Sequence, residues 1–210
     1  MALNAGIILA AGVGGVVKIA PLFTIDDTVE SVADMRVKTL LEQVGRGIYI
    51  RKGCYPCHSQ MIRTLRDEVV RYGPYSLAVE SSDDDPMLWA SKRTGPDLAR
   101  VGGKYSDDWQ VRHLVDPRGL VTVSVMPDYA FLREAALRTD DLSDRLGALR
   151  MVGVPDTDKM VAKAASDAFG QAQPDTDRGD GVFHRYGDAT NVCAFDGQAD
   201  RMTEMDALVA

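Results

Sequence analysis

Apolar residues run almost unbroken from Asn4 to Phe23, and Lys18 is the one charge among them. About 20 residues of helix cross a bilayer, so the stretch is long enough to span one. Lys18 stands near the C-terminal end, where its aliphatic stem can carry the ammonium out to the interface. A cleavable signal would open on basic residues, and Met1 to Asn4 holds none. The pattern predicts a transmembrane anchor over residues 1–24, with a buried core helix as the other reading of such a run. The acidic, polar stretch from Asp26 to Asp34 then predicts a linker over 25–35.

Beyond the linker the hydrophobic period becomes helical. Val37, Leu40, Leu41, Val44 and Ile48 fall at i, i+3, i+4, i+7 and i+11, one stripe of a helix. Gly45 and Gly47 near its end mark either a fraying terminus or a place where another backbone packs closely. From Tyr72 to Pro96 the sequence is punctuated and poor in apolar anchors, which predicts a long surface loop of the kind that usually has a function. Ser106, followed by Asp107 and Asp108, predicts a helix N-cap, with Trp109, His113 and Leu114 on the turns after it and Pro117 at its end. Leu142, Leu146 and Leu149 predict a short amphipathic helix over Asp141 to Met151. Gln171 to Asp188, rich in Asp, Gly and Gln, predicts a solvated segment within an acidic loop at about 165–200. Thr203 with Asp206 three residues on predicts a last short helix. Helices joined by long loops, without alternating strands, describe a mainly α domain over 36–210.

Charge and composition narrow the class. The chain is 45% hydrophobic and 26% charged, so it is not disordered along its whole length. Its net charge of -7 argues against nucleic acid as a partner, since that needs a basic face. Residues 1–139 balance 17 basic against 17 acidic side chains, whereas 140–210 hold 7 against 14, so the whole surplus belongs to the last third. Three cysteines cannot build a disulfide framework. Cys54 and Cys57 stand instead in C-x-x-C-H with His58, whose plain reading is covalent attachment of one c-type haem. Two thiols three positions apart each add to a porphyrin vinyl group, and the next residue, His58, falls under the iron. A zinc site would need paired ligands beyond these, and Cys193, His113 and His184 are unpaired. A thioredoxin-like pair would follow a strand in a βαβ unit, which the pattern lacks.

An iron held by His58 needs a sixth ligand or an open site. Met61 is too close in sequence to reach the opposite face. Met126, followed by Pro127 in a rigid loop between helices, is the better candidate, with His113 competing. The Gly95-Pro96 loop offers a carbonyl, and Pro96 O is the expected acceptor for His58 Nδ1–H. Cys193 reads as a free thiol.

Cys54 to His58 with Ser59-Gln60-Met61-Ile62-Arg63, then Arg71-Tyr72-Gly73, Ser91 to Gly103, and Met126-Pro127 together resemble the mono-haem subunit II of the cbb(3)-type cytochrome c oxidases, a likeness running from the apolar N-terminus to Leu208. The resemblance implies a single membrane helix and a class I cytochrome c-like domain in the periplasm of a bacterial inner membrane. It also implies His58 and Met126 as axial ligands and the Gly95-Pro96 loop on the proximal side of the haem. Such subunits pass electrons from a di-haem cytochrome c subunit or a soluble cytochrome c to a catalytic subunit with haem b and a haem-copper centre. That complex reduces oxygen and moves protons. Family members have further residues before the membrane helix and a longer terminal helix, so a longer native chain is expected. The Tyr72 to Arg93 loop is expected to lie on the catalytic subunit. The haem c subunit of a nitric oxide reductase, and a haem-based sensor or peroxidase with an open sixth site, are the alternatives.

Overall fold

The computed structural model describes residues 2–20, 32, 35–84, 86–89, 92–173, 177–198 and 201–210. Most of the expected linker 25–35, and the end of the expected anchor past Ala20, lie outside the described residues. Contacts divide the chain into two units, Met1–Ala33 and Asp34–Ala210.

The first unit holds helix α1, Ala2–Ile19, 18 residues with a mean hydropathy of 1.8. Among the described residues it is the one helix long and apolar enough to cross a membrane. It buries none of its residues, unlike a core helix, and leaves Leu3, Ile8 and Leu9 more than 70% exposed.

The second unit is helical, with no strand among its described residues. Helix α2 spans Leu40–Arg51. It begins one turn later than the Val37 stripe suggests, because Thr39 takes an extended conformation and caps it: the Thr39 side chain accepts from Glu42 N while Glu42 reaches back to Thr39 N at 2.9 Å. Its inner face, Leu40, Leu41, Val44, Ile48 and Tyr49, is buried, and each such aliphatic side chain contributes about 1.5–3 kcal/mol by leaving water. Helix α3 (Arg66–Tyr72) follows the site. The loop beyond it holds little regular structure besides a 3-10 turn at Ala78–Ser81.

Helix α4, Asp107–Val115, is capped by Ser106, whose side chain accepts from Trp109 N. Pro117 does not merely stop it. Proline at a first helical position gives up no needed hydrogen bond, and here it opens a further short helix, α5 (Pro117–Leu120). A 3-10 turn at Ala130–Arg133 leads to α6, Leu142–Met151, which fully buries Leu142 and Leu146. Helix α9, Glu204–Val209, opens on the expected Thr203–Asp206 capping box.

The expected acidic loop at 165–200 is corrected. Helix α7 (Asp158–Ala172) and helix α8 (Asp177–Tyr186) occupy much of it. The apolar face of α7 is made of small residues, Ala164, Ala168 and Ala172, and that of α8 of Val182 and Tyr186, all buried. Among so many Asp and Gly residues this sparse period reads as loop. The acid surplus is not all solvated either. Asp156, Asp167, Asp196 and Asp206 are buried; Arg185 pairs with Asp167, and Asp196 and Asp206 hold Thr203 and the start of α9.

Helices α2 and α9 pack backbone to backbone, with α7 also against α2. Leu41, Leu132, Leu146, Ala164 and Met205 lie at the centre of the core they share.

Candidate functional site

Helix α2 delivers the C-x-x-C-H motif. Its end unwinds through Lys52 and Gly53, and Cys54 N donates back to Tyr49 O at 3.0 Å. Cys54 O then accepts from Cys57 N at 3.1 Å and from His58 N at 3.0 Å. Residues 54–58 are thereby wound into one tight turn. Buried Tyr49 donates its hydroxyl to His58 O at 3.0 Å and pins the end of that turn to α2. Cys54 is half-buried and Cys57 exposed. Burial, helped by the neighbouring Cys57, pushes the Cys54 thiol up to about 11.

His58 Nδ1 lies 2.9 Å from Pro96 O, the bond the sequence predicts. A carbonyl oxygen only accepts, so Nδ1 carries the proton. In the neutral imidazole Nε2 then keeps its lone pair, the form a metal-ligating histidine requires. The two segments are laced together by Gly95 N to Cys57 O at 2.9 Å and Leu98 N to Ser59 O at 2.8 Å. A Cβ on Gly95 would overlap His58 Cε1 and stand 2.8 Å from both ring nitrogens. Glycine is what lets this backbone rest on the ring.

Behind the imidazole lies a polar network the sequence reading missed. Ser59 is fully buried, and its hydroxyl donates to Asp97 Oδ2. Asp97 also accepts from Met61 N at 3.1 Å and Ala99 N at 2.9 Å. Arg93 donates from Nε to Ser59 Oγ and from one terminal nitrogen to Met61 O at 2.8 Å. It pairs with Asp97 at 3.2 Å and with Glu68 of α3 at 2.8 Å. Glu68 is 5% exposed, and its hydrogen bonds to Arg93, followed by those to Arg63, hold its carboxyl down at about 2. Arg93 and Asp97 flank Gly95-Pro96 four residues apart, which was a legible signal. Nothing in the sequence marks Glu68.

Met126 stands on a separate loop, half-buried, with its N–H on Ser124 Oγ at 3.2 Å. Arg118 Nε braces that loop through Ser124 O at 3.1 Å, and Tyr129 N ties its far end to Leu114 O of α4 at 2.7 Å. Burial raises the Tyr129 phenol pKa at that end of the loop. Val123 and Val125, beside Met126, are 86% and 73% exposed, apolar surface suited to cover by a macrocycle or a partner. His113, the competing ligand, is third in a stack with Tyr105 and Trp109. Its Nδ1 is buried without a partner, and burial lowers its pKa.

The donor set fits a covalently held haem. It offers two cysteines on one turn, an imidazole whose Nδ1 is taken by Pro96 O, and a glycine-walled rest that fixes the ring. No cluster of three or more His, Cys, Asp or Glu able to hold a metal ion is found among the described residues. Cys193 stands apart, its thiol on Asp107 Oδ2 at 3.4 Å and pushed up to about 12 by burial and that carboxylate.

No curated protein matches the sequence. A family model described as "Cytochrome C oxidase, mono-heme subunit/FixO" matches residues 1–210, the whole chain. A mono-haem oxidase subunit needs one haem, a membrane anchor and a catalytic partner, and the C-x-x-C-H turn and the unburied apolar helix α1 suit such a chain. The chain belongs to the FixO family, the mono-haem subunit II of cbb(3)-type cytochrome c oxidases.

Proposed function

We propose that this subunit passes single electrons from a cytochrome c donor to the catalytic subunit of its oxidase through one haem c held covalently by Cys54 and Cys57. The observation that carries the reading is the Nδ1–H bond from His58 to Pro96 O at 2.9 Å, which would leave Nε2 to hold the iron. Bound there, the haem supplies a one-electron iron couple. The protein's part is to keep that iron closed and rigid. His58, its ring fixed by Gly95 and Pro96, and Met126, on its braced loop, would be the residues that hold the haem iron. Two protein ligands would leave the iron no position for a small molecule, which speaks against the sensor or peroxidase alternative. Methionine ligation suits a potential high enough to feed an oxygen-reducing partner.

Helix α1 serves as the membrane anchor, in the inner membrane of a bacterium, with the domain in the periplasm where haem is joined to C-x-x-C-H. The direct partners are a catalytic subunit and a di-haem or soluble cytochrome donor. Replacement Met126→His in the purified complex tests the reading. The haem is expected to stay attached after denaturation while its midpoint potential falls. An unchanged redox titration rejects Met126, and a chain without covalent haem rejects the whole reading. Faster consumption of nitric oxide than of oxygen would favour the nitric oxide reductase alternative.

A further inference from the structure

Two backbone hydrogen bonds join residues 57–59 to 95–98, but neither involves Pro96, whose carbonyl must stay on His58 Nδ1. The residues flanking it are fastened more elaborately. Arg93 and Asp97 bracket the Gly95-Pro96 pair, and both reach the Ser59 hydroxyl directly after His58. Both also bond the backbone of Met61, Arg93 at its oxygen and Asp97 at its nitrogen. The Arg93 and Asp97 side chains are 12% and 0% exposed, so this is an interior clamp and not a surface ion pair. Glu68 gives Arg93 a second acceptor group, and Arg63 pairs with Glu68 in turn, so the cluster holds two guanidiniums and two carboxylates.

We propose that Arg93, paired with Glu68 and Asp97, is a positioning residue that holds the Pro96 carbonyl on His58 Nδ1 and so tunes the imidazole as an iron ligand. The proposal rests on the haem c reading above. Its physical basis is the fork of the guanidinium. Arg93 spends Nε on Ser59 and its two terminal nitrogens on Glu68, Asp97 and Met61 O at once. A lysine ammonium keeps the charge but spans no such set of acceptors. A firm bond from Nδ1–H to a carbonyl makes the imidazole a stronger donor, which favours the ferric state. Loosening it should therefore raise the midpoint potential.

The test uses the full-length, haem-loaded chain in its oxidase complex. Arg93→Lys is expected to retain covalent haem but to shift the ferrous–ferric equilibrium on the order of tenfold toward ferrous, which for one electron is about 59 mV upward. Its low-spin ferric EPR g values, which follow the axial imidazole, should move as well. Ser59→Ala removes only the hydroxyl shared by Arg93 and Asp97 and should shift both readouts the same way by less, which keeps the proposal testable if Arg93→Lys fails to assemble. Arg138→Ala breaks an exposed ion pair with Asp140 that has no bond to the clamp, and should leave potential and g values unchanged. Unchanged readouts in both clamp variants, or an equal shift in Arg138→Ala, overturn the proposal. Absence of covalent haem from the wild-type chain overturns instead the reading beneath it.

Discussion

Gly45 of α2 and Ala207 of α9 meet backbone to backbone. A Cβ built on Gly45 would overlap the Ala207 carbonyl oxygen and lie 2.6 Å from its carbon. A glycine close to a helix end can mark fraying or close packing, and here it marks close packing. The obstacle is main chain, so no side chain can swing aside. Gly45→Ala is expected to push the helices apart and to cost about 3 kcal/mol, the upper end of the usual range for overpacking. Denaturant unfolding of the haem-loaded protein measures it, and a loss below about 0.5 kcal/mol would show that α9 yields freely.

Gly95→Ala places a methyl group on the His58 ring. The ring must then tilt or the Pro96 carbonyl must withdraw. We expect the loss of low-spin absorbance to exceed the loss of protein stability, which separates this variant from Gly45→Ala. Visible spectra and unfolding curves on the same preparation give both quantities.

Glu68 makes stability depend on acid. Its carboxyl sits at about 2 in the folded protein against an ordinary 4.5, mainly because Arg93 bonds it. Its contribution is thus complete above pH 4.5 and is lost as pH falls from about 4.5 to about 2, where the unfolded chain binds the extra proton. Glu68→Gln should lower stability at pH 7 by about 1.5–3 kcal/mol, the range for a hydrogen bond to a charged group. It should also flatten the pH profile between those values. Unfolding free energies measured at a series of pH values test both.

Trp89 donates its indole N–H to Ser81 Oγ at 3.0 Å yet is 42% exposed, and Met87 and Tyr75 on the same loop are 49% and 47% exposed. We expect Trp89→Ala to leave the haem spectrum unchanged and to lower the yield of the subunit recovered with its catalytic partner. A complex of normal stoichiometry would remove the loop from the interface.

Local signals in the sequence determined much of this protein. The C-x-x-C-H spacing, the Ser106 and Thr203 caps, the Leu142 helix and the apolar run of α1 depend on neighbours within a few residues, so they are readable without a fold. Pro96 as partner of His58 was legible as well, because a ligand imidazole needs an acceptor and a rigid Gly-Pro loop supplies one. Helices α7 and α8 were not, since alanines and scattered buried acids form an inner face only when a neighbouring helix covers them. Tertiary structure alone decided that Gly45 takes the backbone of α9 and that Glu68, far from any motif, pairs with Arg93 beneath the site. Each of those roles depends on a contact between residues distant in the chain, and no pattern in one segment encodes the charge or shape of the segment that folds against it.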